Sequence, residues 1–293
     1  MPYSLFAVDV FADGPYTGNP LAVVIGSGLS DELMQRIAAE INYSETTFVD
    51  PTGHSENRYG IRMFTPAREV AFAGHPILGT AWVIRQYVAP KAMNEIILRL
   101  SVGEIPVRFE RSPNGRDVPW FRAPEATFGS TYPREPVARA LGLSPDDIET
   151  GSPIQALVAG VSILIVPLRG LDALRCCRLD LNAFSPLAAQ GAPSLVYLFC
   201  RQTLHPANDL SARFFFEAYG VREDPATGNG AALLGAYLLQ HQVLGVSDLS
   251  LRIEQGHEVR RPSLVMLRAR MSGGLREVGV GGHVYPTIRG ELL

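Results

Sequence analysis

The chain has 293 residues, 46% of them hydrophobic, which is enough for one large core or two smaller ones. Its 19% charged residues and formal net charge of −3 exclude both the basic footprint of a nucleic-acid binder and an acidic tail. Three cysteines, with Cys176 and Cys177 adjacent, exclude a disulfide framework, and the longest apolar stretch, Val158 to Leu168, is interrupted by Gly160, Ser162 and Pro167 and is too short to span a bilayer.

In chain order, residues 5–11 alternate partly and read as a first strand. This start carries an early acid, Asp9, and no basic region, so no signal peptide is expected and the protein reads as reduced and cytoplasmic. Asp13 to Pro20 is a dense turn signal, followed by a β-branched strand, Leu21 to Ile25. Ser30 precedes Asp31 and Glu32, and helical spacing at Leu33, Ile37 and Ala38 predicts a helix to Ile41. Thr46 to Val49 returns to strand, and Arg62 to Pro66, following Tyr59-Gly-Ile, is a further run of strand length. Ile77 to Val88 is apolar nearly all round and reads as a buried helix. Residues 96–121 read as strands with turns at Gly103 and Asn114-Gly115, and the prolines at 113, 119, 124 and 133 place a crossing between halves there. A short helix is expected around Glu135 to Leu141, and strands over Val158–Val166, Leu195–Cys200 and Arg213–Phe216. A second all-round apolar helix, Ala231 to Leu239, precedes strands at Leu249–Glu254 and Val265–Arg270 and a glycine-rich, strand-like tail from Val278.

Two segments read as copies of one element: Glu69-Val-Ala-Phe-Ala-Gly74-His75-Pro76 and Glu223-Asp-Pro-Ala-Thr-Gly228-Asn229-Gly230. In both, Glu stands five residues before Gly, a polar side chain follows, and Pro or Gly comes next. The offset, 228 − 74 = 154 residues in 293, points to a duplicated unit. An arginine lies upstream of each, but the Arg62-to-Gly74 spacing is 12 and the Arg213-to-Gly228 spacing is 15, so one loop differs. Each copy is expected to be an extended segment breaking through glycine into a buried helix, whose first turn presents N–H groups that attract anions. Two such helix starts, brought together, would make one anion site between the halves. The fold class is therefore α/β (α+β): two similar halves, each a curled, mostly antiparallel sheet around a central helix. Residues 1–125, with the last strand from 278–293 returning to them, form the first half and 126–277 the second.

Glu45 lies between the amphipathic helix and a strand. By position it reads as a solvated or capping side chain, or as a general base if burial raises its pKa from about 4.3. His75, at the start of the first buried helix, reads as a side chain bonded to nearby backbone, or as a donor to a substrate anion and proton partner of Glu45. Asp224, before Pro225, reads as an Asx-turn or cap, or as a third member of an acid/base set. No second His or acid at ligand spacing accompanies His75, so no metal is expected. Gly228-Asn-Gly230 is only a fragment of a phosphate-binding pattern and the chain has no P-loop, so no nucleotide is expected either. Cys200 reads as core.

Five segments together resemble the phenazine-biosynthesis PhzF-like family: Gly18-Asn-Pro-Leu-Ala-Val-Val24, Ser44-Glu-Thr-Thr-Phe48, Phe72-Ala-Gly-His-Pro76, Asp224-Pro-Ala-Thr-Gly228 and Arg261-Pro-Ser263. They span most of the chain in the family's order. The resemblance implies the diaminopimelate epimerase-like fold and a cofactor-independent isomerase, commonly a homodimer, of the kind that moves a proton within a dihydro-hydroxyanthranilate. It places the proton-moving glutamate at Glu45 with His75 and Asp224 as polar partners. It puts Gly74, Gly228 and Asn229 at turns holding a substrate carboxylate and Asn19 on a cleft-lining segment. Asn229 departs from the serine of the phenazine enzyme. Ala73 and Thr227 precede the two glycines, so the paired cysteines of the epimerases and racemases of this fold are missing here. Two other readings stay open on sequence alone: a small-anion binding or interaction protein of the same fold, and an amino-acid epimerase with Glu45 and Asp224 as unlike bases.

Overall fold

The computed structural model describes residues 3–53, 56–91, 93–216 and 222–293. The chain divides into two compact units, Met1–Arg122 with Gly281–Leu293, and Ala123–Val280. The first contains β1 (Tyr3–Val10), β2 (Asn19–Ile25), α1 (Asp31–Ile41), β3 (Glu45–Val49), β4 (Arg58–Phe64), β5 (Glu69–Val70), α2 (Gly74–Val83), β6 (Glu95–Leu100), β7 (Gly103–Arg111) and β8 (Asp117–Arg122). The second runs through β9 (Thr127–Tyr132), α3 (Arg134–Ala140), β10 (Ile154–Ala159), β11 (Val161–Pro167), α4 (Leu171–Cys176), α5 (Leu181–Ala189), β12 (Val196–Cys200), β13 (Leu210–Phe215), β14 (Glu223–Asp224), α6 (Gly228–Gln240), β15 (Asp248–Gln255), β16 (Ser263–Ser272) and β17 (Leu275–Gly281). The last strand, β18 (Val284–Leu292), pairs with β1.

Within the first unit the strands run β18-β1-β2-β3-β4-β6-β7-β8, with β2–β3 and β4–β6 parallel and the rest antiparallel. Within the second they run β9-β10-β11-β12-β13-β15-β16, again with two parallel steps, β11–β12 and β13–β15. A two-residue strand, β5 or β14, lies against the end of β4 or β13 and leads into the long buried helix of its unit. The duplication expected from the Glu-to-Gly spacing is thus one strand order used twice.

Local chemistry explains the helices. The Leu33 N–H donates to Ser30 Oγ at the start of α1, Asp31 and Glu32 complement the first turn, and Asn42 closes it in the left-handed region at φ 56°. Its Met34 and Ala38 pack on Val24, Phe48 and Phe64. By contrast α2 has no polar stripe and touches β1, β2, β3, β6, β7, β8 and β18, so the sheet wraps it. Pro76 is tolerated because it falls in the first turn, where no N–H is needed for the ladder. The helix is shorter than the expected run to Val88. From Ile84 it widens into a π-turn, where Arg85 donates to the Met93 carbonyl and pairs with Asp117.

Other expectations are corrected. The apolar run Val158–Val166 is a hairpin, because Gly160 turns at φ +77° between β10 and β11, and β-branched residues on both sides hide the break. The step from one unit to the other, Arg122 to Ala123, falls within the proline-rich segment, and strand β9 follows it, with Pro124 and Pro133 just outside the strand. The short helices α4 and α5 were not anticipated. With α3 they cover the outer face of the second sheet, Val137, Leu141, Leu174, Phe184 and Leu187 packing on Leu164, Val166, Val196, Leu198 and Phe215. Among the described residues no helix is long and apolar enough to cross a membrane.

Candidate active site

In the first unit, Asn19, Glu45 and His75 are gathered at one end of the parallel β2–β3 pair. Asn19 opens β2, Glu45 opens β3, and the register sets Leu21 beside Glu45. Glu45 is not a solvated loop residue; it is 7% exposed. His75, 4% exposed, is the second residue of α2. Thr47 and Thr80 hydrogen-bond at 2.7 Å through their hydroxyls, tying the strand of Glu45 to the helix of His75. The Asn19 amide lies 3.3 Å from His75 Nδ1 and accepts from Ser44 Oγ at 3.3 Å. The other ring nitrogen, Nε2, is 3.5 Å from Glu45 Oε2.

That contact is an ion pair only if the imidazole is charged. Burial pushes the His75 pKa down to about 3, against the opposing pull of a backbone hydrogen bond at Pro20. The physical picture is therefore a neutral imidazole facing the Glu45 carboxyl in a water-poor setting. Gly74, at the first position of α2, follows Ala73, which offers no capping side chain. The opening amides of α2 thus keep their anion-binding character.

In the second unit, Asp224 ends β14 and is buried, Gly228 opens α6, and Asn229 follows it half-buried. Thr227 stands at the N-cap of α6 yet makes no capping bond, because its hydroxyl donates to Asp224 Oδ2 at 2.6 Å. Gln255, at the end of β15, donates to the Asp224 carbonyl at 2.9 Å and accepts from the Thr227 N–H at 3.3 Å. Tyr197 on β12 donates to Gln255 Oε1 at 3.4 Å, and a Cβ at Gly230 would collide with the Tyr197 ring. Burial, and then the Asp224 charge, push the Tyr197 hydroxyl well above the usual phenol range, so it stays a donor. Among the described residues no group of three or more His, Cys, Asp or Glu is placed to hold a metal. The thiol of Cys177 is pushed up to about 12 by burial.

The sequence pattern of the phenazine biosynthesis-like protein family, PhzC-PhzF, matches residues 8–290. Trans-2,3-dihydro-3-hydroxyanthranilate isomerase of Pseudomonas aeruginosa is 34% identical over 91% of this chain and 90% of its own length. An uncharacterized isomerase of Mesorhizobium japonicum is 32% identical over 97% of this chain and 96% of its own. The crystal structure of the Bacillus anthracis phenazine biosynthesis protein of the PhzF family superposes with a TM-score of 0.91 at 25% identity, covering 100% of this chain and 99% of that one. The chain belongs to the phenazine biosynthesis-like family of isomerases. Its fold is the diaminopimelate epimerase-like fold of that family.

Strand registers align the two units of this family member residue by residue. Phe64 faces Glu69 and Thr46 in the first unit as Phe215 faces Glu223 and Val196 in the second. On that frame Glu45 corresponds to Leu195, Asn19 to Val161, and His75 to Asn229. In the other direction Asp224 corresponds to Val70, Thr227 to Ala73 and Gln255 to Leu100. Sequence reading did not single out Ser44, Thr47, Thr80, Tyr197, Thr227 or Gln255 as chemistry. Thr227 carried a usable signal, since an N-cap Thr beside an Asp three residues earlier has two possible partners. Gln255 carried none.

Proposed function

We propose that this protein catalyses a proton shift within a small carboxylated substrate, of the trans-2,3-dihydro-3-hydroxyanthranilate type, with Glu45 as the acid/base. The observation that carries this is the buried Glu45 carboxyl 3.5 Å from a buried, neutral His75 at an uncapped helix start. In this reading the Glu45 carboxylate takes a C–H proton, and the electron pair left behind delocalises through the conjugated acid. The Glu45 carboxyl then returns the proton to another carbon. No oxidant or reductant enters, and the reading assigns no cofactor. His75, neutral, is the polar partner of Glu45, and Asn19 holds the imidazole. Gly74, Gly228 and Asn229 supply amides for the substrate carboxylate, a stabilisation worth a few kcal/mol as negative charge develops. Asp224, accepting from the Thr227 hydroxyl, is the second unit's polar partner in this reading. The family resemblance also supports a homodimer as the working form, and the three unpaired cysteines support a cytoplasmic setting.

A racemase with equivalent bases in the two units is disfavoured by the second unit itself, where Leu195 stands at the position of Glu45. In this reading one carboxylate both removes and returns the proton, on one face. The test is Glu45→Gln assayed for turnover of trans-2,3-dihydro-3-hydroxyanthranilate and for deuterium incorporation from solvent. The variant should lose at least about a hundredfold in rate, as expected for loss of a general base. Wild-type turnover in Glu45→Gln would remove Glu45 from the mechanism.

A further inference from the structure

We infer that Gln255 is a positioning residue for Asp224, setting the direction of a hydrogen-bond chain that ends on the Asp224 carboxylate. The inference rests on the role given to Asp224 above. Gln255 is 1% exposed, so all its polar atoms must find protein partners. A backbone N–H can only donate, so the atom facing Thr227 N at 3.3 Å is the Gln255 oxygen, which also accepts from Tyr197 OH at 3.4 Å. The amide nitrogen is thereby committed to the other side. There it donates to the Asp224 carbonyl at 2.9 Å and to Thr227 Oγ1 at 3.2 Å. The Thr227 hydroxyl has one proton, and with a donor already pointing at its oxygen that proton goes to Asp224 Oδ2 at 2.6 Å. One backbone N–H has therefore fixed three side chains in order: Gln255, Thr227 and Asp224. Asp224 Oδ2 is held as an acceptor, which favours the ionised carboxylate and fixes its rotamer.

A network of this kind has an ordinary explanation, that it merely holds the sheet to the helix start. The first unit argues against it. At the same three positions it has Val70, Ala73 and Leu100, and it closes the same step from strand to buried helix without a polar side chain among them. The scaffold does not require the network. What it adds is a fixed charge and a fixed hydroxyl beside the opening of α6.

The first unit also suggests the variants to make: Gln255→Leu, Thr227→Ala and the two combined. Two measurements decide. The first is the Asp224 carboxylate stretch, isolated as the infrared difference between each protein and the same protein carrying Asp224→Asn. It reports the hydrogen bond on Oδ2 whether or not a substrate is known. Gln255→Leu should shift this band in the same direction as Thr227→Ala, and the combined variant should shift it little beyond Thr227→Ala alone. The second is turnover of trans-2,3-dihydro-3-hydroxyanthranilate, where Gln255→Leu should lower kcat about tenfold with KM changed less than about threefold. A band that moves with Thr227→Ala and stays put with Gln255→Leu overturns the inference. So does an unchanged kcat in an otherwise active Gln255→Leu protein. Absence of turnover by the wild type with the band shifts intact would count against the proposed substrate and leave Gln255 in its place.

Discussion

The two units join the same pair of side chains at the same step of the sheet, in different surroundings. Arg62 and Glu69 meet in a two-pronged contact, 2.8 and 2.6 Å, with side chains 35% and 45% exposed. Arg213 and Glu223 meet at 2.9 and 2.7 Å, but with 7% and 6% exposed. The second guanidinium also donates to the carbonyls of Leu174, Arg175 and Cys177, closing the C-terminal end of α4. The polar residues differ further. Asn19, Glu45 and His75 correspond to Val161, Leu195 and Asn229, and Asp224, Thr227 and Gln255 correspond to Val70, Ala73 and Leu100. Each copy is apolar where the other carries its acid. The lesson is that the shared strand order needs the Arg–Glu fork and the buried helix, and leaves the remaining polar positions open to chemistry.

The largest effect should separate the two forks. Glu223→Gln removes the nearer charge partner of a buried guanidinium, leaving only Glu258 at 3.9 Å, and is expected to cost about 3 kcal/mol. Glu69→Gln, at the exposed fork, should cost under about 1 kcal/mol. Urea unfolding of both variants measures the gap, and equal losses would break the contrast. The next effect concerns His75 and its counterpart Asn229, which does not titrate. The folded pKa of His75 lies near 3, below its ordinary 6.5, so the unfolded chain binds more protons between those values. The stability associated with the neutral imidazole is complete above about pH 6.5 and is lost at about 1.4 kcal/mol per unit as pH falls towards 3. Between pH 7.5 and 5 the wild type should therefore lose about 2 kcal/mol more than His75→Asn. Equal acid slopes would mean that the imidazole is charged and truly ion-paired with Glu45. The smallest effect is at Thr46, buried beside Glu45, whose hydroxyl makes no hydrogen bond among the described residues and whose counterpart is Val196. Thr46→Val should be neutral or stabilising by about 1 kcal/mol in the same unfolding assay.

The parts of this arrangement that the sequence made legible are those encoded locally. Glu69 to Gly74 and Glu223 to Gly228 keep one spacing because each Glu must reach the Arg across a two-residue strand. The two central helices show as runs without a polar stripe because nothing polar fits inside a curled sheet. Helix α1 announces itself through Ser30, Asp31 and its spaced apolar residues. The parts that escaped depend on partners distant in sequence. Helices α4 and α5 are short, α5 contains Pro186, and α4 is held partly by Arg213, which lies some way along the chain. Whether Glu45 is solvated or enclosed is decided by α2 packing over the end of β3, which no local pattern reveals. Gln255 sits in Arg252-Ile-Glu-Gln255, an unremarked strand end, and only the parallel pairing of β15 with β13 brings it towards Thr227.

The pairing of β18 with β1, from Tyr3–Leu292 to Val10–Val284, has a consequence for synthesis. This neighbour of β1 is encoded after every residue of the second unit. At about 5–20 residues per second, β1 waits roughly 15 to 55 seconds on the ribosome with one edge bare. A bare edge is a template for pairing with another nascent chain. The contiguous second unit can close during that interval, whereas the first is finished only once β18 has emerged. Removing residues 284–292 would make that temporary hazard permanent.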